Sequence, residues 1–132
     1  MNMIIKDDIL SSGHKNIVFC VDVEGKDPVG FAEKVAKHCP ELQEKPLVDH
    51  GVLRHFTTEN GVTFHAITLY NKVDSVPEGV KIVENSLSSI KKSKFGKDSV
   101  GFLIPQMGLI TMNYMMAGIV EDSGLTGEVF KN

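Results

Sequence analysis

Two periods of apolar residues alternate along the chain. An apolar-rich stretch from Met3 to Leu10 reads as a first strand, with Ser11, Ser12 and Gly13 as the turn after it. Ile17, Val18, Phe19, Cys20 and Val21 are apolar without interruption, the pattern of a strand covered on both faces. The period then changes. Val29, Ala32, Val35, Ala36 and Cys39 recur at helical spacing, with Asp27 at the N-cap place, Pro28 at the first helical position and Pro40 as a stop. Gly51–Thr58 and Val62–Tyr70 flank Asn60-Gly61, a strong hairpin signal, so these runs are expected to pair antiparallel. With Asn60 and Gly61 as the two turn residues, Phe56 faces His65 across the ladder. After Val76 and Pro77, the spacing of Val80, Val83, Leu87 and Ile90 predicts a second helix, ended by Gly96. Ser99–Ile104 reads as a strand stopped by Pro105, Met112–Glu121 as a third helix, and Gly127–Phe130 as a last short strand. This alternation predicts one α/β domain over residues 1–132, a three-layer α/β/α sandwich with a mixed sheet.

In such sheets ligands bind beyond the carboxyl ends of the strands, and here those ends carry VDVEGKDPVG, LYNKVDS and PQMGLITM. The first is a strand, a loop containing Gly25 and a helix start, a joint that collects backbone N–H groups and the positive end of a dipole. It is equally the ordinary connection of an α/β protein, so the residues leave open whether it cradles an anion or only turns the chain. The acids raise the same choice. Asp7 and Asp8 close the first predicted strand and Asp22 the second; if those strands are neighbours, carboxylates converge on one rim and can accept hydrogen bonds from an adenine amino group or ribose hydroxyls. Read without a ligand, Asp7 and Asp8 are solvated strand ends and Asp22 a turn former.

Composition narrows the field. At 132 residues and 42% hydrophobic the chain can bury a core without metal or disulfide support. A net charge of −3 and lysines scattered apart from Lys91, Lys92, Lys94 and Lys97 argue against nucleic acid as the main partner. That cluster closes the second predicted helix, where cations complement the dipole. Cys20 and Cys39 are expected to be free buried thiols, as in a reducing cytoplasm. No apolar run has the length of a membrane span, and the start MNMIIKDDIL lacks a signal-peptide pattern, so the expected location is cytoplasmic, with no membrane partner. No CxxC, HxH or HExxH spacing supports a metal site, no cofactor is indicated, and no GxSxG elbow or Walker loop occurs. His55 and His65 do not match the paired His-x-Thr elements of a two-histidine phosphodiesterase, because they share one hairpin and the second element reads His65-Ala66-Ile67-Thr68. His14 and His38 read as surface residues. The sequence carries no signal for oligomeric state.

The order MIIKDDIL, IVFCVDVEGKDPVGFAEKVAKHCPEL, a hairpin ending FHAITLYNK, a helix containing VENSLSSIKK, then VGFLIPQMG resembles the macro domain family over residues 3–130. It is most similar to the small branch of terminal-ADP-ribose glycohydrolases and ADP-ribose 1''-phosphate phosphatases. The resemblance implies a site for ADP-ribose or an ADP-ribosylated molecule. Asp8, followed by Ile9, takes the place of the family's adenine-contacting acid, with Asp7 in place of a glycine. Asp22 stands near the distal ribose, where many members have Asn or Ser, and is the candidate catalytic residue. Gly25, Gly30 and Ala32 fall in the first diphosphate loop and helix start, and Pro105, Gln106 and Gly108 open the second loop. The chain departs from the pattern at Pro28, which removes a backbone donor where members have glycine, and at Leu109, Ile110 and Thr111, where they have Gly-x-Gly. The lysine of the glycohydrolase branch is replaced by Leu69 and Tyr70, with Lys72 slightly beyond, and its acid by Thr111 or Met112. The resemblance therefore implies either hydrolysis of an ADP-ribose derivative or a non-catalytic nucleotide-binding module. A third reading fills the cleft with Leu109, Ile110 and Met112 and turns Met115 and Met116 to a protein contact.

Overall fold

The computed structural model describes residues 5–6, 8–22, 31–44, 51–69, 76–103 and 118–130. Its strands are β1 (Ile5–Lys6), β2 (Asn16–Asp22), β3 (Leu53–Thr57), β4 (Thr63–Leu69), β5 (Val100–Leu103) and β6 (Gly127–Phe130). They form one sheet in the order β1-β6-β5-β2-β4-β3, parallel throughout except for the β3–β4 hairpin. The helices are α1 (Phe31–His38), α2 (Glu41–Glu44), α3 (Val76–Lys92) and α4 (118–122).

The sheet is covered on both faces, as the uninterrupted apolar strands require. On one face Phe31, Ala32, Val35 and Ala36 of α1, with Cys39 and Leu42, pack over Ile17, Phe19, Phe64, Ala66 and Phe56. Phe19 and Phe31 meet edge to face with ring centroids 5.1 Å apart, which sets the start of α1 over β2. On the other face Val83, Leu87 and Ile90 of α3, with Val120 of α4, pack over Val18, Ile67, Val100, Phe102 and Val129. All seven residues of β4 are buried. Each fully buried Phe or Leu here contributes about 1.5–3 kcal/mol relative to an exposed one.

Several expectations are corrected. The first strand does not run to Leu10. Asp8 adopts a left-handed conformation (φ 56°, ψ 71°), and Ile9–Ser11 form a 3-10 turn that folds back over the sheet, so Ile9 is buried by a turn rather than a strand. A short α2 follows Pro40, too brief for its period to show. The hairpin register is shifted by one: His55 faces His65 and Phe56 faces Phe64. Only Gly61 takes positive φ (82°), and Gly61 N–H donates to Thr58 C=O at 3.1 Å, giving a three-residue loop with a glycine bulge instead of a two-residue turn needing positive φ at Asn60 as well. α3 ends at Lys92, four residues before Gly96, which instead lies within a 3-10 turn, Lys94–Lys97. The last strand matches its expected bounds. Tyr70, Ile104 and most of the third predicted helix lie outside the described residues.

Candidate functional site

Parallel pairing sends the carboxyl ends of β1, β6, β5, β2 and β4 to one rim. The helix after β2 covers one face of the sheet, while those after β4 and β5 cover the other. Chain progression therefore reverses at β2, and the end of this strand is a topological switch point, where open α/β sheets leave a crevice. The backbone of Asp22 closes β2 there, paired with Leu69 of β4. The condition that the first two strands be neighbours fails, since β6 and β5 stand between β1 and β2. Their carboxyl ends nonetheless share the rim, three strand spacings or about 14 Å apart.

Asp8 lies two residues past β1 and is exposed. It is the sole non-glycine residue with positive φ among those described, a conformation that costs energy and persists where the surroundings impose it. Ile9 and Ala32 are 3% and 4% exposed and both belong to the α1-side core, so their side chains serve packing and Ala32 has only its backbone to offer a ligand. Gly25, Gly30, Pro105, Gln106 and Gly108 lie outside the described residues, as do Pro28, Lys72, Leu109–Met112 and the methionine pair Met115 and Met116. Gly30 immediately precedes Phe31 in the chain, whose ring is anchored on Phe19 and Phe64.

The histidines occupy the other end of the sheet. The one-residue register shift brings His55 Nδ1 to 2.7 Å from His65 Nδ1, and His65 Nε2 lies 3.0 Å from Asn16 Oδ1. The amide oxygen of Asn16 accepts, so His65 carries its proton on Nε2 and its Nδ1 accepts from His55 Nδ1–H. Burial, then the proximity of His55, lowers the His65 pKa to about 3; burial, then Lys94, lowers that of His55. Phe95 closes the group, its ring centroid 4.8 Å from that of His65 and 5.4 Å from that of His55. Both imidazoles are engaged in one chain of hydrogen bonds that runs from exposed His55 to buried His65 and Asn16, unlike a pair facing a phosphate. No group of three metal-ligating side chains occurs among the described residues. The buried polar residue at the start of β2, Asn16, is the sequence signal that points to this chain. His14 also departs from expectation: its side chain is 8% exposed and bonded to Glu128, whereas His38 is exposed.

No family profile matches the chain, and no curated protein does. Solved structures do. The macrodomain of Thermus aquaticus DarG superposes with a TM-score of 0.63 at 13% identity, over 99% of this chain and 97% of that one. A macrodomain of Oceanobacillus iheyensis superposes with a TM-score of 0.63 at 12% identity, over 96% and 80%. An alphavirus protein gives 0.65 at 11%, over 99% of this chain, which spans only 22% of that structure. The fold is macro-domain-like. Among the described residues no helix is long and apolar enough to cross a membrane.

Proposed function

We propose that the chain binds ADP-ribose, or a molecule carrying it, along the carboxyl-end rim of the sheet. Adenine lies at Asp8 and Ile9, the diphosphate over Gly25 to Gly30 and Pro105 to Gly108, and the distal ribose at Asp22. The observation that carries this reading is the switch point at the end of β2, the strand whose backbone Asp22 closes and the kind of place where open α/β sheets take nucleotides. The spacing of about 14 Å between the ends of β1 and β2 suits a ligand with two sugar-bearing ends joined by a diphosphate. The macro-domain-like fold supports the same reading by analogy.

The finer proposal is hydrolysis in the manner of the small ADP-ribose-processing branch. Asp22 orients a water and takes its proton. That water attacks the phosphorus of ADP-ribose 1''-phosphate, breaking the bond to the ribose oxygen to give phosphate and ADP-ribose, or the anomeric carbon of an ADP-ribosyl bond, giving ADP-ribose and the freed acceptor; the proton taken by Asp22 passes to the leaving group. Calorimetric titration with ADP-ribose tests binding, and absence of heat and of chemical-shift changes at millimolar ligand overturns it. Asp22→Asn is expected to abolish turnover while leaving affinity within about tenfold, because a group acting in the transition state affects rate more than binding. Wild-type protein that binds yet turns over neither substrate is a binding module, the function left once hydrolysis is removed.

A further inference from the structure

A second constellation stands at the amino-terminal ends of β5, β6 and β2, on the opposite side of the sheet from the rim. Ser99, exposed immediately before β5, has its Oγ 3.0 Å from His14 Nδ1, and His14 Nε2 lies 2.7 Å from Glu128 Oε1 on β6. The carboxylate only accepts, so His14 carries its proton on Nε2, and its Nδ1 lone pair faces the Ser99 hydroxyl, which donates to it. This is the tautomer a general base needs. The ring is held from several sides. Phe130 meets it edge on at 5.8 Å, and a Cβ at Gly101 would fall 3.2 Å from His14 Cδ2, so glycine there leaves the ring its place. Gly13, at φ 79°, and the Ser12 hydroxyl, which accepts from His14 N–H at 3.3 Å, set the backbone that presents it.

We propose that Ser99, His14 and Glu128 form a nucleophile, base and carboxylate relay that takes an acyl group from an activated ester. Ser99 Oγ bonds to the ester carbonyl carbon as its proton passes to His14 Nδ1, and Glu128 stabilises the imidazolium. The bond from acyl carbon to alcohol oxygen breaks, and the alcohol leaves with the proton from His14. Water attacks the acyl-serine by the same route and releases the carboxylic acid, restoring Ser99. Nothing in this sequence uses the carboxyl-end rim, so it stands apart from the ADP-ribose reading.

The test uses the full chain with a fluorophosphonate probe, read by intact mass and peptide mapping, and p-nitrophenyl acetate, read by release of p-nitrophenol. A single adduct is expected on Ser99, and Ser99→Ala removes both the adduct and the hydrolysis. His14→Gln slows acylation by about 100-fold or more. Glu128→Gln slows it by about tenfold or more, and Glu128→Asp restores part of the rate, which a structural contact alone would not do. Thermal melts confirm that the variants fold, and Ser99→Ala, a change at an exposed side chain, keeps the comparison informative if His14→Gln does not fold. Absence of an adduct at Ser99 at millimolar probe, equal hydrolysis by Ser99→Ala, or an unchanged rate in Glu128→Gln overturns the proposal.

Discussion

Lowering the pH from 7 to 5 is expected to cost the fold about 2 kcal/mol through His65 alone. In the unfolded chain a histidine titrates near its ordinary value of about 6.5, whereas folded His65 does so at about 3. The folded pKa lies below the unfolded one, so the unfolded state binds the extra proton. The stabilisation is complete above about pH 6.5 and drains away as pH falls towards about 3. Each pH unit inside that window is worth about 1.4 kcal/mol per group, and allowing for partial titration near 6.5, the interval from 7 to 5 gives about 2 kcal/mol. His55, lowered in the same direction, adds to it. Protonating His65 at Nδ1 makes it a donor across the 2.7 Å gap to His55, and the bond survives only if the His55 proton moves from Nδ1 to Nε2. Urea unfolding at a series of pH values measures the effect, with His65→Gln as the reference because it keeps every other histidine. The variant is less stable at pH 7 and its stability is flatter between pH 7 and 5. Equal pH dependence for the two proteins would refute the argument.

Phe102 is fully buried between α3 and the sheet, and Phe102→Ala is expected to lose about 3–5 kcal/mol in urea unfolding. Gly96→Ala would put a Cβ 2.1 Å from the Lys91 carbonyl oxygen, a backbone atom that cannot swing aside, and is expected to cost about 1–3 kcal/mol by the same measurement. Asp8→Gly removes a Cβ from a left-handed residue and is expected to raise stability by up to about 1 kcal/mol while abolishing the heat of ADP-ribose binding; Asp8→Asn, which tolerates that conformation, separates the backbone effect from the carboxylate.

The layered fold was legible because its determinants are local. A continuous apolar run at 17–21 and helical spacing at 80–90 each follow from what the element must bury, and β2 and α3 stand where those patterns put them. Strand order was not legible, since β5 and β6 enter between β1 and β2 through pairings far apart in sequence. Register failed by one residue because the same Asn60-Gly61 pair suits two loop lengths, and which one forms depends on the packing of Phe56 against the α1-side core. The site divides in the same way. Placing Asp22 at a strand end needed only the length of one apolar run, whereas His14, Ser99 and Glu128 come together only after β5 and β6 have paired.

The left-handed backbone at Asp8 decides where the chain goes after its first strand. An edge strand of two residues has few bonds with which to hold strain, yet the chain turns there at a residue with a Cβ and not at the glycine that would cost least. That turn is what sends Ile9 down over Gly101 and carries the chain to His14. One costly residue thus serves both ends of the sheet: it leaves an exposed carboxylate at the rim and delivers the imidazole to the pair of acid and hydroxyl at the opposite edge. Aspartate is one of the few residues with a Cβ that take up this conformation readily, so the backbone accounts for its presence, and comparison of Asp8→Gly with Asp8→Asn decides whether the carboxylate also accepts a hydrogen bond from a ligand.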